Sequence, residues 1–280
     1  PVTYIPVDYA GEPSAVDPGT VTVGVARADG TVLVAAGAAT VTDGVTRTYT
    51  LTGTHTALLD RLTVTFTTST GVHTTTVDVV GGVYCSSSEV RDLERVKDAN
   101  SYPLADILRA RAEVEDMFER ACGHTLSFVP RFAIASVDHF GNESLHLPHY
   151  FLRLVRWVKY VADGTLYDFD PLELGAVAAD PSGMATLVNG AWPYGRLLVG
   201  YEHGMDAPPA DVKRAAASAV RRQMNMAKAA TDPRAISFTG PGGEVQRFPT
   251  PGLGPWVTGV PEIDEVLAWY KDAYPSLAVI

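Results

Sequence analysis

The chain has 280 residues, enough for two domains, and its 46% hydrophobic and 19% charged content supplies apolar side chains for real cores. A formal charge of −10 argues against a protein that coats nucleic acid, which needs a basic footprint, although a like-charged wall lets DNA pass without sticking. Two cysteines, Cys85 and Cys122, are too few for a disulfide scaffold and read as buried free thiols, and no apolar run reaches the roughly 20 residues of a membrane span.

Pro1-Val2-Thr3-Tyr4 has neither the basic region nor the apolar core of a signal peptide, so a chain made in the cytoplasm is expected. The first 84 residues are rich in Thr and Val, lack Lys, and alternate with period two. Val21-Thr22-Val23-Gly24-Val25, Arg47-Thr48-Tyr49-Thr50-Leu51, Leu62 to Thr67 and His73 to Val80 each place their apolar side chains on one face. Turn signals stand between them at Asp17-Pro18-Gly19, Ala28-Asp29-Gly30, Asp43-Gly44 and Ser69-Thr70-Gly71. This pattern predicts an antiparallel sandwich of immunoglobulin-like type over 1–84, without the Cys–Trp–Cys core of antibody domains.

Beyond Gly81-Gly82, Ser86 and Glu89 stand at capping-box spacing and open a short helix with Val90, Leu93 and Val96 as its apolar stripe. Tyr102-Pro103 starts a longer helix that ends near Gly123; opposite its apolar stripe lie Glu113, Glu115, Asp116 and Glu119. Strands are predicted over Phe128–Val137 and Phe151–Val161, and a hairpin over Leu187–Tyr201 with Asn189-Gly190 as its turn. After Pro208-Pro209, the residues Val212, Ala215, Ala216, Ala219 and Val220 form one helical face, leaving Arg214, Arg221, Arg222 and Lys228 largely on the others. Residues 231–260 are rich in Gly and Pro and read as an extended arm. A final helix begins at Pro261, with Glu262, Asp264 and Glu265 in its first turn, and buries Ile263, Val266, Leu267 and Tyr270. The fold class expected is multidomain β + α: the sandwich at 1–84, then a mainly α-helical domain at 85–280 with a β-hairpin insert.

No catalytic constellation is visible. The chain lacks a P-loop, a Gly-x-Ser-x-Gly elbow and a His-Glu-x-x-His pair, and Gly240-Pro241-Gly242-Gly243 reads as a turn rather than a phosphate cradle. His139, His146 and His149, with Asp138, are the best metal candidates, but surface histidines explain them with fewer assumptions. No cofactor, metal or small-molecule substrate is therefore expected. The acidic and basic helices suit the two unlike surfaces that each subunit of a cyclic ring presents. Trp192, Tyr194 and Trp256 are candidate aromatic anchors for a partner, while Trp269 is expected in the core.

From Ser86 to Tyr274 the chain resembles the head-to-tail connector (adaptor) proteins of long-tailed bacteriophages, in the form found in actinobacterial phages. The segments that carry the resemblance are Ser88-Glu89-Val90-Arg91-Asp92-Leu93, the helix from Ala105 to Cys122, and Trp192-Pro193-Tyr194-Gly195. They continue with Val199 to Met205 running into Pro208-Pro209-Ala210-Asp211-Val212-Lys213, and with Thr258 to Leu267. The resemblance implies a virion subunit of a ring, of twelve copies, docked beneath the portal and bridging it to the neck and tail completion proteins. It also implies a central channel that genomic DNA crosses only transiently, and no membrane contact. The sandwich at the front departs from the smallest family members, which have only the later part. A rival expectation makes the chain a capsid- or glycan-binding module that its helical part anchors to the virion.

Overall fold

The computed structural model describes residues 2–4, 21–41, 46–69, 71–92, 96–162, 165–170, 174–226, 237–239, 245–247 and 258–275. The front part holds two antiparallel sheets. β1 (Val2–Tyr4), β5 (Arg47–Tyr49) and β4 (Thr40–Val41) form one in the order β1-β5-β4. The other follows the order β3-β2-β6-β7, from β2 (Thr22–Ala26), β3 (Val32–Ala38), β6 (Asp60–Thr68) and β7 (Gly71–Val79). Alternation explains the core: Val23 and Val25 of β2 face Leu62, Val64 and Phe66 of β6, all fully or almost fully buried. Val2 and Tyr49 of the smaller sheet pack on the same cluster. The expected turns at Asp17-Pro18-Gly19 and Asp43-Gly44 lie outside the described residues.

Among the described residues, four helices have their full range: α1 (Ser87–Asp92), α2 (Leu104–Ala121), α3 (Ala210–Met226) and α4 (Pro261–Ala273). The capping box forms as read: Glu89 N–H donates to Ser86 Oγ at 3.1 Å, and Ser86 N–H donates to Glu89 Oε2 at 2.7 Å. α2 stops because Gly123, at φ 78°, turns the chain into a Schellman cap. Gly123 N–H reaches Arg120 C=O at 3.1 Å, and His124 N–H reaches Glu119 C=O at 2.8 Å. The helices share one core in which the rings of Tyr84, Phe128 and Tyr270 meet edge to face, at 5.4 and 5.0 Å between centroids.

The expectation of a mainly helical second part with one hairpin insert is overturned. β8 (Arg131–Phe140), β10 (Leu152–Ala162), β11 (Thr165–Asp168) and β14 (Tyr194–His203) form a four-stranded antiparallel sheet in the order β11-β10-β14-β8. β9 (Ser144–His146), β12 (Val177–Ala179) and β13 (Met184–Leu187) form a second sheet, and the two enclose a core of their own. The reason is that each long strand carries a complete apolar face, such as Leu197, Val199 and Tyr201 on β14, that no isolated hairpin can cover. The predicted hairpin across Asn189-Gly190 is also absent. β13 pairs with β9 and β12 while β14 pairs with β8 and β10, so the chain crosses from one sheet to the other at that point. Asn189 does not take the positive φ that a type I′ turn requires.

Gly204 joins the sheets to the helices. At φ 100°, a Cβ there would lie 2.2 Å from the carbonyl oxygen of Val129, so only glycine lets β14 pass that backbone on its way to α3. Of the Gly/Pro arm, the described residues are a two-stranded ladder, β15 (Ser237–Thr239) with β16 (Val245–Arg247), and the residues from Thr258 onward.

Candidate functional site

The four α2 carboxylates do not form one partner-facing surface. Glu115 is buried, accepts Tyr84 N–H at 2.9 Å and lies 3.7 Å from Arg111. Burial holds its carboxyl above the usual range, against the backbone hydrogen bond from Tyr84 and the nearby Arg111 charge, which lower it. One turn on, Glu119 Oε1 accepts from Tyr84 Oη at 2.8 Å, Ser127 Oγ at 3.3 Å and Arg131 Nε at 2.6 Å. Both residues tie α2 to Tyr84, just before α1, and Glu119 ties it to Arg131 of β8 as well, so they are turned away from the expected surface. The two outer acids also have partners within the chain, Gln223 for Glu113 and Arg120, at 2.9 Å, for Asp116.

α3 differs. Its alanine face is buried as expected, and Arg214 is exposed while Arg221 and Arg222 are half-buried. None of these three arginines forms an ion pair among the described residues. Lys228, the fourth predicted cation, lies outside those residues, as does Trp256.

The remaining aromatic candidates separate cleanly. Trp192 is 1% exposed, donates its indole N–H to Ala185 C=O at 3.2 Å and packs on Phe169, so it is a core residue and not an anchor. Its neighbour Tyr194 is 75% exposed and meets Phe140, 67% exposed, across the β14–β8 ladder at 6.2 Å. Trp269 reverses its expectation too. It stands on the outside of α4, 60% exposed, while Tyr270 beside it turns inward.

The predicted metal candidates part company. His139 is buried, with its ring nitrogens 3.1 Å from Ser144 C=O and 3.1 Å from Gly141 N–H; His146 is exposed; His149 sits elsewhere, against Tyr201. No group of three potential ligands that could hold a metal converges among the described residues. Sequence reasoning missed a different cluster. His149 stacks on His203 at 3.9 Å, and its Nδ1 hydrogen-bonds the Tyr201 hydroxyl. Burial pushes His149 down to about 4 and His203 well below the usual histidine range, so both rings stay neutral near pH 7. They line a pocket of about 270 Å³ with Glu119, Arg131 and, from the front sheet, Arg61 and Asp78. The signal for His203 was present in the sequence: it continues the two-residue rhythm of Leu197, Val199 and Tyr201. The thiols of Cys85 and Cys122 are both raised to about 11, chiefly by burial, which makes them poor nucleophiles.

Part of the chain resembles a neck protein. A chain in the neck of an empty GTA particle, computed with C6 symmetry, is similar to 49% of this chain and matches over 73% of its own length. The identity is 15% and the TM-score 0.36, a likeness too slight to establish a shared fold or a shared role. No protein-family description matches the chain, and no curated protein does.

Proposed function

We propose that this chain is a structural virion protein of a phage-type neck, a head-to-tail connector subunit that assembles into a ring between portal and tail. The reading makes residues 1–84 an appended sandwich and residues 85–280 the connector part, located in the virion and carrying no catalyst. One observation supports it above the rest. Of the segments that carry the sequence resemblance, the helical ones are far apart in the chain, yet α1, α2, α3 and α4 pack their apolar faces into a single core, while Trp192, Val199 and Tyr201 belong to the core of the sheets. The arginines of α3, which form no ion pair among the described residues, and the exposed Trp269, Tyr194 and Phe140 give the subunit surfaces for neighbours. Twelve copies, a portal above and tail completion proteins below are the arrangement that the family resemblance implies, with DNA passing through the centre.

The test is electron microscopy of purified particles that carry a label at the N-terminus of this chain. Label in a ring at the head–tail junction is the expected result. Label on the capsid faces or the tail tip, or particles without label, would overturn the proposal.

A further inference from the structure

The outer face of α4 combines charge with an uncovered aromatic ring. Glu262, Glu265, Trp269 and Asp272 are all exposed and stand at intervals of 3, 4 and 3 residues, which puts them on one side of the helix. Asp264 is the acid of this segment that turns inward, where it accepts Thr258 N–H at 2.8 Å and Gly259 N–H at 3.1 Å and so pins the start of α4. The outward three form no ion pair among the described residues. Lys271 is exposed beside Asp272, so the acidic excess lies toward the start of the stripe. A tryptophan left 60% exposed between carboxylates is poorly suited to nucleic acid, whose phosphates the acids repel. It suits a cationic protein surface, where guanidinium groups pair with carboxylates and stack on the indole.

The same chain carries such a surface on α3. Arg214, Arg221 and Arg222 have no acidic partner among the described residues, although α3 and α4 pack together. Their contact runs through buried side chains and a bond from the Tyr270 hydroxyl to Asp211 Oδ1 at 3.3 Å. The acids of α4 and the arginines of α3 therefore make no ion pair with one another within one subunit among the described residues, which leaves both free for a head-to-tail contact. We propose that the Glu262–Trp269 stripe of α4 in one copy docks on the Arg214–Arg222 face of α3 in the next copy. The inference rests on the ring-subunit reading and names the contact that would build the ring. It replaces α2 with α4 as the acidic side.

The experiment uses the full chain in three charge variants, with association measured by native mass spectrometry and sedimentation. Arg221→Glu with Arg222→Glu, and separately Glu262→Arg with Glu265→Arg, should each remove the oligomer. All four changes together should restore it, because the charges of Arg221 and Arg222 are exchanged with those of Glu262 and Glu265. Trp269→Ala, at an exposed position that leaves the fold intact by circular dichroism, should weaken association about thirtyfold, the scale of an aromatic hot spot. Added salt should weaken the wild-type contact. If wild type associates and the fourfold variant does not recover, the α4–α3 contact is wrong while the neck reading stands. If wild type stays monomeric and particles show no ring of this chain, both readings fall.

Discussion

Helices α2 and α3 are of similar length, lie side by side and carry opposite charge, yet they use that charge in opposite ways. α2 spends two carboxylates inside the molecule: Glu115 holds a backbone N–H of the entering segment, and Glu119 gathers Tyr84, Ser127 and Arg131. α3 leaves three arginines without an ion pair among the described residues, and packs inward with alanine, valine and Met224. A run of like charges on a helix thus has two physical uses, an internal polar clamp or an outward-facing surface. Only the neighbouring elements decide between them.

The sharpest way to break this comparison is to remove the clamp. Glu119→Ala leaves Arg131 and the Tyr84 hydroxyl without their acceptor in a site where both side chains of the ion pair are largely shielded. It should cost about 3–4 kcal/mol in urea unfolding, the scale for breaking one side of a buried pair. A loss no larger than that of an ordinary surface substitution would return Glu119 to the surface. Next in size is the packing face of α3. Ala216 is fully buried, so Ala216→Leu forces methylenes into a filled space and should cost about 1–3 kcal/mol by the same measurement.

The smallest effect separates two carboxylates one turn apart. Glu115→Gln keeps an oxygen for Tyr84 N–H and removes a buried charge, so at neutral pH it should match or slightly exceed the wild type, within about 0.5 kcal/mol. The folded state raises the Glu115 carboxyl, mainly by burial, and therefore binds its proton more tightly than the unfolded chain does. That contribution is complete below the unfolded carboxylate value near 4.5 and is lost as pH rises through the higher folded value. Relative to Glu115→Gln, the wild type should gain thermal stability as pH falls through this range. A wild type that loses ground on acidification would mean that Glu115 is stabilised as an anion, as a surface ion pair would be.

Much of the molecule was legible in local patterns. The capping box at Ser86 and Glu89, the glycine stop after α2, the proline starts of α3 and α4 and the alternation of β2, β6 and β7 all depend on interactions within a few residues. Such interactions are written into spacing. Three other features were not legible. The outward placement of Trp269, the burial of Trp192, and the inward turn of Glu115 and Glu119 each depend on which element lies opposite.

By itself, then, the sequence determined where the helices α1, α2, α3 and α4 begin and which face of β2 and β6 is apolar, because backbone geometry and side-chain period act over one or two turns. Tertiary structure alone decided that β8, β10 and β14 join one sheet with its own core, because their pairing unites residues up to dozens of positions apart. It decided as well that Glu115 and Glu119 of α2 serve the fold while Glu262, Glu265 and Asp272 of α4 face outward. Polar groups are placed by the partners that satisfy them when buried, and those partners come from distant parts of the chain.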